Sequence, residues 1–108
     1  MDGSLAQQVK DLIAQNKVMM FSKSYCPFCV RAQQLLGKSG VSFKCVEMDQ
    51  IPNGDQMHEA VKAHSGQRTV PLTYVNGVKV GGCDDLMAAA SNGKLKKMLD
   101  DCGVANSL

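Results

Sequence analysis

Two cysteines separated by two residues, Cys26-Pro27-Phe28-Cys29, stand between a short apolar run and a helical stripe. That placement constrains the chain more than any other feature. The run Val18-Met19-Met20-Phe21 suits a buried strand. Cys29, Ala32, Leu35 and Leu36 repeat at helical spacing and end near Gly37-Lys38-Ser39-Gly40. A dithiol held between a strand and the N-terminus of its helix meets three physical requirements at once. Residues three apart on a helix share a face, so the two sulfurs can join with little backbone movement. Unpaired N–H groups and the positive end of the helix dipole favour a thiolate at Cys26. Pro27 falls at the first helical position, where its missing N–H costs nothing. Cys26 is therefore read as the exposed nucleophile and Cys29 as the core-facing resolving thiol, with Lys23 as a nearby cation.

The remaining elements follow from spacing. Leu5, Val9, Leu12 and Ile13 predict an amphipathic helix with Asn16 near its end. Val41 to Val46 reads as a strand, and Ile51-Pro52-Asn53-Gly54 as a turn. Met57, Ala60, Val61 and His64 mark the buried side of a helix ending at Gly66, which makes His64 a packed or half-buried side chain. Pro71 to Val75 and Val78 to Val80 are two strands joined by Asn76-Gly77, the strongest short-range hairpin signal. Gly81-Gly82 breaks the chain, Asp84 and Asp85 favour a helix N-terminus, and one or two helices finish it. The order α-β-α-β-α-β-β-α(α) predicts one α/β domain over 1–108. Its four-stranded mixed sheet is flanked by helices on both faces, with a right-handed parallel crossover in the first βαβ unit. A Cys-x-x-Cys between the first strand and its helix is the thioredoxin-like arrangement.

Bulk properties narrow the functional classes. The 108 residues carry a formal charge of only +2 with both signs interspersed, which gives no nucleic-acid or membrane-attracting face. Lys94, Lys96 and Lys97 read as a solvated helix face. No apolar run approaches the roughly 20 residues of a membrane span. Met1-Asp2-Gly3-Ser4 lacks a positive leader region, and Gly3 is misplaced for myristoylation. The expected compartment is the cytosol. Five cysteines in a reducing setting indicate redox or metal chemistry rather than a structural framework. Structural zinc needs four ligands, and Cys45, Cys83, Cys102, His58 and His64 do not supply the spacing. A copper-chaperone-like carrier lacks the leading helix and the Thr-Val-Pro element. Cys45 is expected to pack as a small core hydrophobe, Cys83 to pack near a helix N-terminus, and Cys102 to be inert.

With Lys23-Ser24-Tyr25-Cys26-Pro27-Phe28-Cys29, Thr69-Val70-Pro71 and Gly81-Gly82-Cys83-Asp84-Asp85 in this order, nearly the whole chain resembles the dithiol glutaredoxins. A thioredoxin carries Trp before its first cysteine and Gly-Pro between the two. Single-cysteine glutaredoxins carry serine at the place of Cys29. The resemblance implies a glutathione-dependent thiol–disulfide oxidoreductase that acts on protein disulfides and protein–glutathione mixed disulfides; a monomer is expected because no feature asks for a partner copy, and no resident metal is expected. The resemblance further implies a cis-proline at Pro71, a strand-like pairing of glutathione with the Val70 backbone, and Lys23 at the glycine carboxylate. Cys83 and Asp84 hold the γ-glutamyl end, Gly81 and Gly82 permit close approach, and Thr69 and Tyr25 line the site. His58 and Asp85 are further candidates, since His58 stands where relatives often have Gln or Arg. Leu72, where the family is usually polar, is expected as an exposed apolar contact. The alternative is a module in which two chains share an iron–sulfur cluster through Cys26 and two glutathiones. Pro27 argues against it, because cluster-binding relatives usually carry a small residue there.

Overall fold

The computed structural model describes residues 4–108. Met1 to Gly3, on which the leader and acylation readings bear, lie outside the described residues. Helix α1 spans Leu5–Gln15, and the Ser4 hydroxyl caps it by accepting from the Gln7 N–H at 3.1 Å. Strand β1 is Val18–Ser22, α2 is Pro27–Lys38 and β2 is Lys44–Glu47. After a 3-10 turn at Met48–Gln50 come α3 (Gly54–Ser65), β3 (Leu72–Val75), β4 (Val78–Gly81), α4 (Cys83–Ser91) and α5 (Lys94–Asp101). The sheet order is β2-β1-β3-β4, with β1 parallel to β2 and the other neighbours antiparallel. The mixed sheet, the parallel pairing of β1 with β2 across α2 and the hairpin match the expectation. At the hairpin, Asn76 and Gly77 both take positive φ, 51° and 78°.

Strand β1 explains the two-sided architecture. All five of its residues are buried. Val18 and Met20 face a cluster built from Ala32 and Leu36 of α2, Leu86 and Ala89 of α4, and Leu95 and Leu99 of α5. Met19 and Phe21 face the opposite cluster, with Val9 and Ile13 of α1, and Met57 and Val61 of α3. A continuous apolar run is what a strand covered on both faces requires. Each fully buried large side chain stabilises the sandwich by about 1.5–3 kcal/mol. The β1 C-terminus is thereby held rigid where the dithiol begins.

Three expectations change. The second strand starts at Lys44, not Val41, because α2 ends in a Schellman motif: Gly40 takes φ 70° and the Val41 N–H bonds the Leu36 carbonyl at 3.0 Å. Val41 has thus spent its donor before it could join a ladder. Leu72 is fully buried in the α1–α3 cluster instead of exposed, since β3 is a central strand covered on both sides. His64 is exposed rather than packed, with its ring centroid 6.1 Å from that of Tyr74 at the edge of the layer. Among the described residues, no helix is long and apolar enough to cross a membrane.

Candidate active site

Cys26 is the N-cap of α2 and Pro27 its first residue. The Cys26 Sγ accepts the Cys29 N–H at 3.2 Å, which uses one of the orphan donors of the helix start and stabilises negative charge on that sulfur. In the thiol form Cys26 donates weakly to the Val70 carbonyl, 3.8 Å away. Both cysteines are free thiols, Cys26 partly exposed and Cys29 fully buried. Burial is the main cause that pushes the Cys29 thiol up to about 11, helped by its hydrogen bond with Cys26 and opposed by the Ser22 hydroxyl. One helix turn thus carries two chemically different sulfurs, one presented and one withheld.

A groove of about 420 Å³ opens beside this pair. Thr69, Val70 and Pro71 form one wall, and Gly82, Cys83, Asp84 and Asp85 at the start of α4 form the other. The Val70–Pro71 bond is cis. The cysteine motif at 26–29, the proline loop at 69–71 and the α4 N-terminus at 82–85 therefore meet at one end of the sheet. Phe28 and Gln67 also line the groove. Neither carried a recognised role in the sequence. Phe28 was visible as part of the motif, whereas Gln67 follows no pattern. The Gln67 Nε2 donates to the Thr69 and Pro71 carbonyls at 2.9 and 3.1 Å, so this side chain pins the proline loop from both ends.

Asp85 caps α4 by accepting the Gly82 N–H at 3.1 Å, while Asp84 is exposed on the groove wall. Gly81 has φ 117°, and a Cβ there would meet the Asp85 carboxylate, so the cap requires glycine. Close approach does not demand Gly82 in the same way. A Cβ on it would stand 3.7 Å from the Pro71 carbonyl oxygen, an ordinary contact. Cys83 is buried, with its thiol pushed up by burial first and by Asp84 second.

Lys23, Tyr25 and His58 do not line the groove. Lys23 and Tyr25 belong to the loop that delivers Cys26, and Tyr25 is 70% exposed. That loop is braced by a residue the sequence did not mark. Asp49 accepts the Ser24 N–H at 2.8 Å and the Ser24 hydroxyl on its other oxygen, and Gln50 donates to both partners. These donors hold the Asp49 carboxyl down at about 2, the Ser24 hydroxyl contributing most. The His58 Nε2–H donates to the Arg68 carbonyl at 2.8 Å, tying α3 to the segment before the proline loop.

Beneath α2 lies a polar cluster. The Gln33 Nε2 donates to the Glu47 carboxylate at 2.9 Å and to the Ser22 hydroxyl at 3.1 Å. The Cys45 thiol donates to the same Glu47 oxygen at 3.3 Å, and the second oxygen is buried without a partner. Burial first, then Glu47, pushes Cys45 up to about 12. Cys45 packs against the core as expected, but as a hydrogen-bond donor and not simply as a small hydrophobe. Cys102 caps α5, partly buried, and donates to the Leu99 carbonyl at 3.5 Å. Among the described residues, no three His, Cys, Asp or Glu side chains gather as metal ligands.

A Cys-x-x-Cys capping the helix after the first strand of a four-stranded mixed sheet, facing a cis-proline loop, defines a thioredoxin-fold thiol–disulfide oxidoreductase. The glutaredoxin family model matches residues 18–80. Glutaredoxin-C6 of Oryza sativa subsp. japonica is 41% identical over 100 residues, 93% of this chain and 89% of that protein. A glutaredoxin of Solanum lycopersicum is 42% identical over 93% of this chain and 92% of its own. The crystal structure of the buckwheat glutaredoxin–glutathione complex superposes with a TM-score of 0.90 at 37% identity, covering 94% of this chain and 92% of that one. The chain belongs to the glutaredoxin family.

Proposed function

We propose that this protein reduces protein disulfides and protein–glutathione mixed disulfides, with glutathione as its reducing co-substrate. The observation that carries this reading is the pairing of one helix-capping, partly exposed sulfur with a groove of tripeptide size beside it. The Cys26 thiolate attacks the disulfide sulfur in line, a new S–S bond forms, and the leaving thiolate takes up a proton. With a glutathione mixed disulfide, the tripeptide lies against Val70, its γ-glutamyl end toward Asp84 and the α4 N-terminus, and its glycine carboxylate toward Lys23. A second glutathione then regenerates Cys26. With a dithiol substrate, Cys29 attacks Cys26 from within the core, and glutathione later reduces the internal disulfide.

Since the Nε2–H of His58 is engaged by Arg68, this residue can add to Lys23 only as an imidazolium, through its other ring nitrogen. The site is complete within one chain, which supports a monomer, and five free thiols suit the cytosol. The test is turnover of a glutathionylated peptide coupled to glutathione reductase and NADPH. Cys26→Ser is expected at background, with Cys29→Ser still active. A wild type that neither turns over nor has its disulfide reduced by glutathione contradicts the reading.

A further inference from the structure

A second, smaller depression of about 350 Å³ adjoins the groove, lined by Arg31, Gln34, Leu35 and Lys38 of α2 and by Met87 of α4. The two are joined at their shared margin. Phe28, a wall of the groove, lies under the Arg31 guanidinium, with 5.5 Å from Cζ to the ring centroid. Cys83, on the opposite wall, has its sulfur 3.8 Å from the Met87 Sδ. The surface between is apolar and open: Phe28 is 53% exposed and Met87 44%.

Charge changes sign across this margin. Asp84 and Asp85 line the groove, whereas the second depression has two cations and no acid. Helix α2 contains no Asp or Glu at all. Among the described residues, Arg31 and Lys38 enter none of the salt bridges, which pair Lys62, Lys96 and Lys97 with carboxylates on their own helices. Two uncompensated cations on an exposed apolar shoulder, continuous with a reacting centre, suit an anionic chain.

We infer that this shoulder docks an acidic segment of the protein substrate. The inference rests on the glutathione reading above. In that exchange the groove takes the glutathione half of the mixed disulfide, so the protein half must leave Cys26 over another surface. Arg31 and Lys38 stand about 7 and 18 Å beyond Cys26 along the helix, at 1.5 Å per residue. An extended substrate advances about 3.3 Å per residue, which puts its acidic residues about two to three and about five positions from the reacting cysteine. The chemistry is unchanged. Cys26 attacks the glutathione sulfur, the substrate S–S bond breaks, and the protein thiolate departs and takes up a proton from water.

The test uses glutathionylated peptides of one length with a central cysteine and either Glu, Gln or Lys at the third and fifth positions on both sides. Hydroxyethyl disulfide is the small control that cannot reach α2. At low ionic strength, kcat/KM for the Glu peptide is expected to exceed that for Gln by about three- to tenfold, with Lys lowest and the gap closing in high salt. Lys38→Glu shrinks the preference and the Arg31→Glu/Lys38→Glu double variant inverts it, both with the control rate unchanged. Equal turnover of the three peptides, or a Glu preference that survives in the double variant, overturns the docking site while the control still turns over. Failure of the wild type on the control and on every peptide would instead defeat the glutathione reading, and the docking inference with it.

Discussion

The open end of the sheet around Cys26 and the closed polar cluster under α2 each hold sulfur next to hydrogen-bonding groups, yet they do opposite things to it. At the open end, the sulfur receives a backbone N–H and caps a helix, so negative charge is met by donors. In the closed cluster the Cys45 sulfur accepts from the Gln33 amide at 3.6 Å, but it also faces a charged acceptor, the Glu47 carboxylate, at 3.3 Å inside the protein. Cys29 lies between them, on the same helix turn as Cys26 but with its side chain in the core. Each sulfur accepts one bond and donates another, so burial and the charge on the acceptor, and not the number of polar neighbours, set the Cys45 thiol apart from the one at the open end.

The largest effect that would break this contrast concerns the resolving step. With Cys29 pushed up by burial to about 11, only a small thiolate fraction exists near neutrality. The rate at which Cys29 resolves a Cys26 mixed disulfide should rise about tenfold per pH unit between about pH 6 and 9, because attack requires the thiolate. Stopped-flow release of a chromogenic thiol would show it, and a rate flat over that range would mean that Cys29 is not desolvated in the intermediate.

A smaller effect sharpens the closed side. Glu47→Gln removes the charge that helps raise Cys45, so its pKa falls and its alkylation by iodoacetamide at about pH 9 should speed up several-fold. Burial, the leading cause, remains, so Cys45 should still react more slowly than an unfolded cysteine. Unchanged labelling in peptide maps would show that Glu47 does not act on it.

The smallest effects lie in the brace of the open end. Asp49→Ala frees the Ser24 end of the loop and should raise the glutathione KM a few-fold with a smaller change in kcat, since Asp49 bonds Ser24, next to Lys23, and neither cysteine. A glutathione KM that does not respond would detach Asp49 from the groove.

The same contrast marks what the amino-acid sequence made legible. Element order, the sheet and the hairpin follow from local signals: a continuous apolar run, Asn-Gly and helix-capping residues; the cis-proline loop follows from the resemblance to the glutaredoxins. Thr69, Val70, Pro71, Cys83 and Asp84 are legible because each belongs to a motif that carries the family resemblance. Asp49 and Gln67 are not. The bonds from Asp49 reach 25 residues back to Ser24, and Gln67 serves only the carbonyls of the loop beside it. Neither leaves a periodic trace. Leu72 departs from the expectation because β3 is an inner strand, covered in part by α1 from far upstream in the chain. His64 lay at the right helical spacing but past the end of its covering layer.

The central claim is that Cys26 alone of the five cysteines exchanges with glutathione. It is tested most directly by treating Cys29→Ser with glutathione disulfide and mapping the adduct by peptide mass spectrometry. A single glutathione on Cys26, removed by added glutathione, is the expected result. An adduct on Cys45, Cys83 or Cys102 with Cys26 left free, or no adduct at all, would contradict it.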